Sequence, residues 1–179
     1  VNQLLSIDEE IISLSLSKEE LKVSDEIELI IVDQNPVEFE LYKIISKYID
    51  IVNIKYIKSA IKGLSFNRNL GLKEAVGDIL CFPDDDCTYY ADTITTVFSL
   101  FRLNPKTDLF IGRIFDRENK LNIIRSWPSD MRNVGLHNFY FLSSSITIFL
   151  RSKTIIDFDV EMGAGAKFGS CEDPDFLYR

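Results

Sequence analysis

Three consecutive aspartates, Asp84, Asp85 and Asp86, follow a short apolar run in "ILCFPDDDC", residues 79–87. Adjacent carboxylates repel one another, and a fold gains nothing obvious by stacking them at a strand end. Hard divalent cations such as magnesium and manganese prefer carboxylate oxygens. In an extended segment, side chains two residues apart point the same way. Asp84 and Asp86 can therefore face one ligand, one holding a metal and the other a sugar hydroxyl, while Asp85 points elsewhere. The bland alternative is a solvated acidic turn, or acids near the N-terminus of a helix starting around Asp92. Zinc fits poorly: Cys81 and Cys87 flank the acids, but Cys81, Cys87 and Cys171 form no CxxC pair and the one histidine is His137. Free thiols in a reducing compartment are the better reading.

Two further clusters could do chemistry. Arg68 lies in "GLSFNRNLGLKEAVG", residues 63–77, where Ser65 can cap a helix that Gly77 ends in the left-handed position. A guanidinium beside helix N-terminal amides suits an anionic ligand; the plain alternative is a surface arginine paired with Glu74 or a nearby aspartate. Residues 163–173, "GAGAKFGSCED", place a small-residue loop before Glu172 and Asp173. Its glycines permit close backbone approach to a ligand. It lacks the GxGxxG register and follows no buried strand, so it is not a dinucleotide loop. Its two acids could simply cap a helix over residues 174–178.

The elements that must position these groups alternate. Residues 1–16 carry an apolar helical stripe at Leu4, Ile7, Ile11 and Leu14. Residues 27–32, "IELIIV", read as a buried strand, broken after Asp33 by Gln34, Asn35 and Pro36. Leu41, Ile44, Ile45 and Tyr48 mark a helix, and residues 51–57 a strand. Residues 79–82 form the next strand. Asp92 can cap a helix with Ile94, Val97, Phe98 and Phe101 on one face. Strands follow at 109–115 and 145–150, with a hairpin and a loop between. This order implies an α/β fold, a mostly parallel central sheet with helices on both faces. In such sheets ligands bind beyond the carboxyl ends of strands, where Asp33 and the three acids sit.

The bulk properties set limits. The 179 residues suit one domain, with 46% hydrophobic and 27% charged residues. A net charge of −8 argues against broad nucleic-acid binding. The longest apolar candidate, residues 139–150, is too short to span a bilayer and carries three serines. No signal-peptide pattern is read at the start, and the chain, beginning at Val1, reads as a piece of a longer protein.

Taken in order, "GLSFNRNLGLKEAVGDILCFPDDDC" and "FDVEMGAGAKFGSCEDPDFLYR" resemble the family 2 glycosyltransferases of the GT-A fold. "IELIIVD" is similar to that family's second strand. The resemblance implies one GT-A domain over residues 1–179, lacking the family's first strand and its later acceptor-side helices. It implies a nucleotide-sugar site of Asp33 toward the base, Arg68 at the helix start, and Asp84 and Asp85 in the acidic element. It places a divalent cation, manganese or magnesium, on Asp86 with Asp84, and a catalytic base at Asp173 with Glu172 beside it. Gln34 departs from the pattern, since the family usually has an acid there.

The implied reaction is inverting transfer of a sugar from a nucleotide-diphosphate donor, a UDP-sugar above all, to a hydroxyl of a glycan or lipid-linked acceptor. Such work in polysaccharide or glycoconjugate biosynthesis implies a cytoplasmic location, with peripheral association at the inner face of a membrane. A non-catalytic relative that binds nucleotide sugar or glycan is the alternative. A sugar-nucleotide pyrophosphorylase ranks lower, because its glycine-rich basic N-terminal loop is not visible. Trp127 and His137 lie in the variable stretch 116–141, where an acceptor could sit.

Overall fold

The computed structural model describes residues 27–35, 41–50, 52–84 and 87–179. The helix expected over residues 1–16 lies outside them, as do Asp85 and Asp86.

In chain order the elements are β1 (Glu28–Asp33), α1 (Leu41–Ile45), β2 (Asn53–Lys58), α2 (Leu64–Glu74), β3 (Ile79–Cys81), α3 (Thr93–Leu103) and β4 (Leu109–Ile111). After these come β5 (Phe115–Asp116), β6 (Leu121–Asn122), α4 (Phe139–Leu142), β7 (Ile148–Arg151) and α5 (Glu172–Tyr178). β1 and β2 pair in parallel, with Asp33 opposite Lys58. β7 lies between β3 and β4 and runs against both. β3 and β4 therefore share one direction, and β7 is the reversed strand of an otherwise parallel α/β arrangement. β5 and β6 form the expected hairpin.

The strand β7 is apolar because both of its faces are covered. Ile148, Phe149 and Leu150 are all buried. On one side Phe82, Ile148, Leu150, Phe158 and Phe176 form a core cluster. Its rings meet edge-on or stacked, with Phe158 and Phe176 4.3 Å apart and Phe82 and Phe158 at 5.1 Å, the arrangements aromatic quadrupoles favour. On the other side Val97 and Phe101 of α3 pack on Phe149, from the helix face the sequence periodicity marks.

The helix α2 differs from expectation at both ends. Its N-cap is Gly63, and Ser65 sits inside the first turn with its hydroxyl donating to the Met162 carbonyl at 2.7 Å. The helix ends at Glu74, with Ala75 extended, so Gly77 does not close it. Glu28 at the start of β1 instead accepts from the Val76 and Gly77 amides at 2.7 and 2.8 Å. Gly71 is a poor residue for a helix interior, and a Cβ there would stand 3.5 Å from Val32 and 3.7 Å from Ile30. Those are ordinary van der Waals distances, so α2 lies directly on β1 without the glycine being sterically required.

Two expected strands are shorter than read. The run 109–115 divides into β4 and β5, and the run 145–150 begins with a 3-10 turn, Ser145–Thr147, before β7. Asp92 stands at the N-cap of α3 without a side-chain capping bond. Its carboxylate instead pairs end-on with Arg117 of the hairpin at 2.8 and 3.0 Å, which holds it below its ordinary range.

Candidate active site

The chemistry-bearing residues gather in two clusters, both at strand ends. At the end of β1, Asp33 is buried, its side chain 0% exposed. Its Oδ1 accepts from the Asn35 backbone amide at 2.8 Å and side-chain amide at 2.9 Å. Its Oδ2 accepts from the Tyr56 hydroxyl at 2.6 Å and from Lys58 Nζ at 2.8 Å. Burial pushes this carboxyl up, but the bonds from Lys58, Tyr56 and Asn35 outweigh it and the net shift is downward. The same burial, with the Asp33 hydrogen bond and charge, pushes Tyr56 up to about 12. Each oxygen thus serves two donors. Gln34 ties β1 to the start of α2, its Oε1 accepting from the Gly63 amide and from Asn67 Nδ2, both at 2.9 Å.

The second cluster centres on Arg68, whose side chain is 9% exposed. Nη2 donates to Asp84 Oδ1 at 3.0 Å and to Ser145 Oγ at 2.8 Å. Nη1 donates to Asp173 Oδ1 at 3.1 Å and lies 3.8 Å from Glu172 Oε1. The guanidinium rests over the Phe158 ring at 5.3 Å. Asp173 Oδ2 takes the Ser145 backbone amide at 2.8 Å. Asp84, at the exit of β3, and Asp173, in the first turn of α5, are thus joined through one side chain of α2.

The scaffold around this hub is local and specific. Asn69 grips the Phe158 backbone from both sides, donating to its carbonyl at 2.9 Å and accepting from its amide at 2.7 Å. The glycine-rich loop docks on the start of α2, where the Leu64 amide donates to the Ala164 carbonyl at 3.0 Å. Gly163 has φ +92, and a Cβ there would meet Ser65 Oγ at 2.9 Å. The Gly63 and Leu64 amides at the start of α2 are therefore committed to Gln34 and Ala164. Arg68 lies in the second turn, facing carboxylates. Neither Ser145 nor Asn69 stands out as a site residue in the sequence. Asn69 lies one residue from Arg68 but carries no mark of its own, and nothing in the pattern around Ser145 signals a 3-10 turn.

Three carboxylates share one guanidinium here, an excess of two negative charges over those four groups. Carboxylate oxygens and an excess of this size suit a hard divalent cation. Among the described residues, no three His, Cys, Asp or Glu side chains form a metal site by themselves. Asp84 is 41% exposed and adjoins Asp85 and Asp86, which lie outside the described residues. A separate cleft of ≈ 310 Å³ is lined by residues including Trp127, Arg132 and Phe141. The hub does not line it, and neither does His137, which is exposed. The two regions connect through α4 and α5, where Phe139 stacks on Tyr178 at 6.1 Å.

The model of the family described as "Glycosyl transferase family 2" matches residues 15–161. The chain belongs to that family. Solved structures agree on the fold. Staphylococcus aureus TarS 1-349 superposes with a TM-score of 0.73 at 23% identity, covering 98% of this chain and 51% of TarS 1-349. Its complex with UDP gives 0.74 at 24% identity, covering 98% and 51%. The complex with UDP-GlcNAc gives 0.69 at 21% identity, covering 99% and 51%. This is the GT-A fold, and the chain spans about half the length of TarS 1-349. No curated protein sequence matches the chain significantly. The family match ends before the glycine-rich loop, so Glu172 and Asp173 rest on the geometry of the hub.

No helix among the described residues is long and apolar enough to cross a membrane.

Proposed function

We propose that this chain is the donor-binding and catalytic part of an inverting glycosyltransferase, moving a sugar from a UDP-sugar to an acceptor hydroxyl. The observation that carries this reading is the meeting of Asp84 and Asp173 on Arg68, with Arg68 and Asp173 105 residues apart in sequence. The family supplies the reaction class, and TarS complexes with UDP and UDP-GlcNAc support a uridine nucleotide as donor. A glycan or lipid-linked sugar is the acceptor, which puts the protein in the cytoplasm at the inner face of a membrane.

In this reading Asp173 takes the proton of the acceptor hydroxyl. The freed oxygen attacks the anomeric carbon from the face opposite the diphosphate, and the bond to the diphosphate oxygen breaks with inversion. A well-placed base contributes roughly 10²–10⁴-fold. Asp173 has the needed capacity, since each of its oxygens accepts one hydrogen bond and keeps a lone pair. Asp86 with Asp84 would hold a manganese or magnesium ion, which supplies positive charge for the departing diphosphate. Asp33 serves the base end of the donor by fixing Lys58, Tyr56 and Asn35 in place.

The test uses full-length protein with manganese and UDP-GlcNAc. Donor should raise the melting temperature, and Asp86→Ala should remove the metal-dependent part of the rise. Asp173→Asn should keep the rise while turnover falls by roughly 10²-fold or more. A rise without turnover in the wild type would favour the non-catalytic binder. No rise with any UDP-, GDP- or dTDP-sugar would sink the proposal.

A further inference from the structure

We infer that Arg68 is a positioning residue for the base, not a contact to the donor phosphates. This rests on the reading of Asp173 as the base. Depth separates the two roles. Arg68 is 9% exposed, against 17% for Asp173 and 41% for Asp84. Its guanidinium lies over the ring of Phe158, a member of the buried core cluster, and the carboxylates it holds are more exposed than it is. An anionic diphosphate approaching from solvent meets the acids first. Both terminal nitrogens are already engaged: Nη2 by Asp84 and Ser145, Nη1 by Asp173 with Glu172 close by.

A planar fork holds two carboxylates at a set separation, whereas a lysine ammonium, a point charge with three rotating donors, does not fix their spacing. Nη1 and Nη2 belong to one rigid plane, so Asp84 and Asp173 are held at a fixed separation. The Ser145 amide fixes the second Asp173 oxygen, and Ser145 Oγ steadies the guanidinium itself. Asp173 is therefore oriented from two sides while one lone pair per oxygen stays open to a proton. Mispositioning of a reacting group by about 1 Å costs on the order of 10²-fold in rate.

The experiment separates positioning from donor binding. In full-length protein, Arg68→Lys should lower kcat with UDP-GlcNAc by roughly 10²-fold. Its Kd for UDP by calorimetry, read without added metal because Arg68 also holds Asp84, should stay within about threefold. A loss of UDP affinity of about tenfold with kcat retained would overturn the inference. Ser145→Ala removes only the hydroxyl that steadies the guanidinium; it should give a smaller fall in kcat with the same split, and it serves if Arg68→Lys does not fold. Independently of any nucleotide, a thermal-unfolding cycle of Arg68→Lys and Asp173→Asn should be non-additive. Additive melting shifts would also overturn the inference, because the pairing would then carry no coupling. A wild type that binds no UDP would count against the donor reading, and the unfolding cycle would still decide the pairing.

Discussion

The two charged clusters obey opposite arithmetic. At the end of β1, one carboxylate, Asp33, meets one ammonium and three uncharged donor groups, and none of its side chain is exposed. That network is closed. At the end of β3, one guanidinium meets three carboxylates, and the acids are more exposed than the cation. That network is balanced only by something further. A closed polar cluster stabilises and orients its own elements, whereas a cluster with surplus charge at a ligand-binding edge is arranged for a partner. The residue types alone do not separate the two, since each is an aspartate at a strand end.

The largest effect on stability should come from breaking the closed cluster. Asp33→Ala removes four hydrogen bonds and leaves Tyr56 and Asn35 without their acceptor. Lys58 is 37% exposed, so water softens the cost of its stranded charge. The expected loss is about 2–3 kcal/mol in urea unfolding at neutral pH. The sign of the pH dependence follows from the lowered pKa. The folded protein holds the ionised form below the ordinary 3.8, so this stability is present above that value and is lost as pH falls through the lowered one. The gap between wild type and variant should narrow below roughly pH 4. Tyr56 works in the other direction. Its contribution is full below pH 10 and disappears as pH rises toward about 12. A gap that stays constant into acid would mean that the carboxylate charge is not what the donors hold.

Much of this was readable in one dimension, for definite reasons. Asp33 and Asp84 could be placed at strand ends because β1 and β3 are short apolar runs bounded by turn residues. The face of α3 was readable because Val97 and Phe101 obey helical spacing. The hub was not readable as such. Arg68 reaches Asp173 across most of the chain; of its plausible local partners a nearby aspartate, Asp84, is used and Glu74 is not, and the arginine side chain is mostly buried, not on the surface. The helix α2 misled at its cap because Ser65, Asn67 and Asn69 are buried polar residues bonded outside the helix. A side chain that ties down a loop cannot also cap its own helix. The start of the late strand failed for a similar reason. The sequence "SSSIT" permits an extended run, but a 3-10 turn at Ser145–Thr147 aims the Ser145 amide at Asp173.

A smaller effect should follow where the glycine-rich loop meets the hub. Gly163 holds φ +92, and a methyl group there would stand 2.9 Å from Ser65 Oγ and 3.3 Å from Glu172 Cδ. Gly163→Ala carries about 1–2 kcal/mol of backbone strain and forces either the Ser65 bond or Glu172 to give way. The expected outcome is a melting temperature below wild type together with a fall in turnover. The Asp33 network should keep its pH signature, because the change lies on the other cluster. Loss of that signature would show that the clusters are not independent.

The smallest effect discriminates best between a closed and an overcharged cluster. Glu172 Oε1 lies 3.8 Å from Arg68 with no hydrogen bond between them, and its side chain is 15% exposed. Glu172→Gln removes that ion pair and one acid from the first turn of α5, where negative charge is mildly favourable. It also removes one of the two surplus charges and relieves repulsion against Asp173. These terms oppose each other, so the net change in unfolding free energy should be under about 1 kcal/mol in either direction. Repulsion between partly exposed charges is screened by salt. The attraction to Arg68 is screened as well, so whatever difference the variant shows from wild type at low ionic strength, of either sign, should shrink as salt is added. A loss as large as that of Asp33→Ala, insensitive to salt, would mean that the Arg68 cluster is as closed as the Asp33 one. The surplus charge at β3 would then have no claim to a ligand.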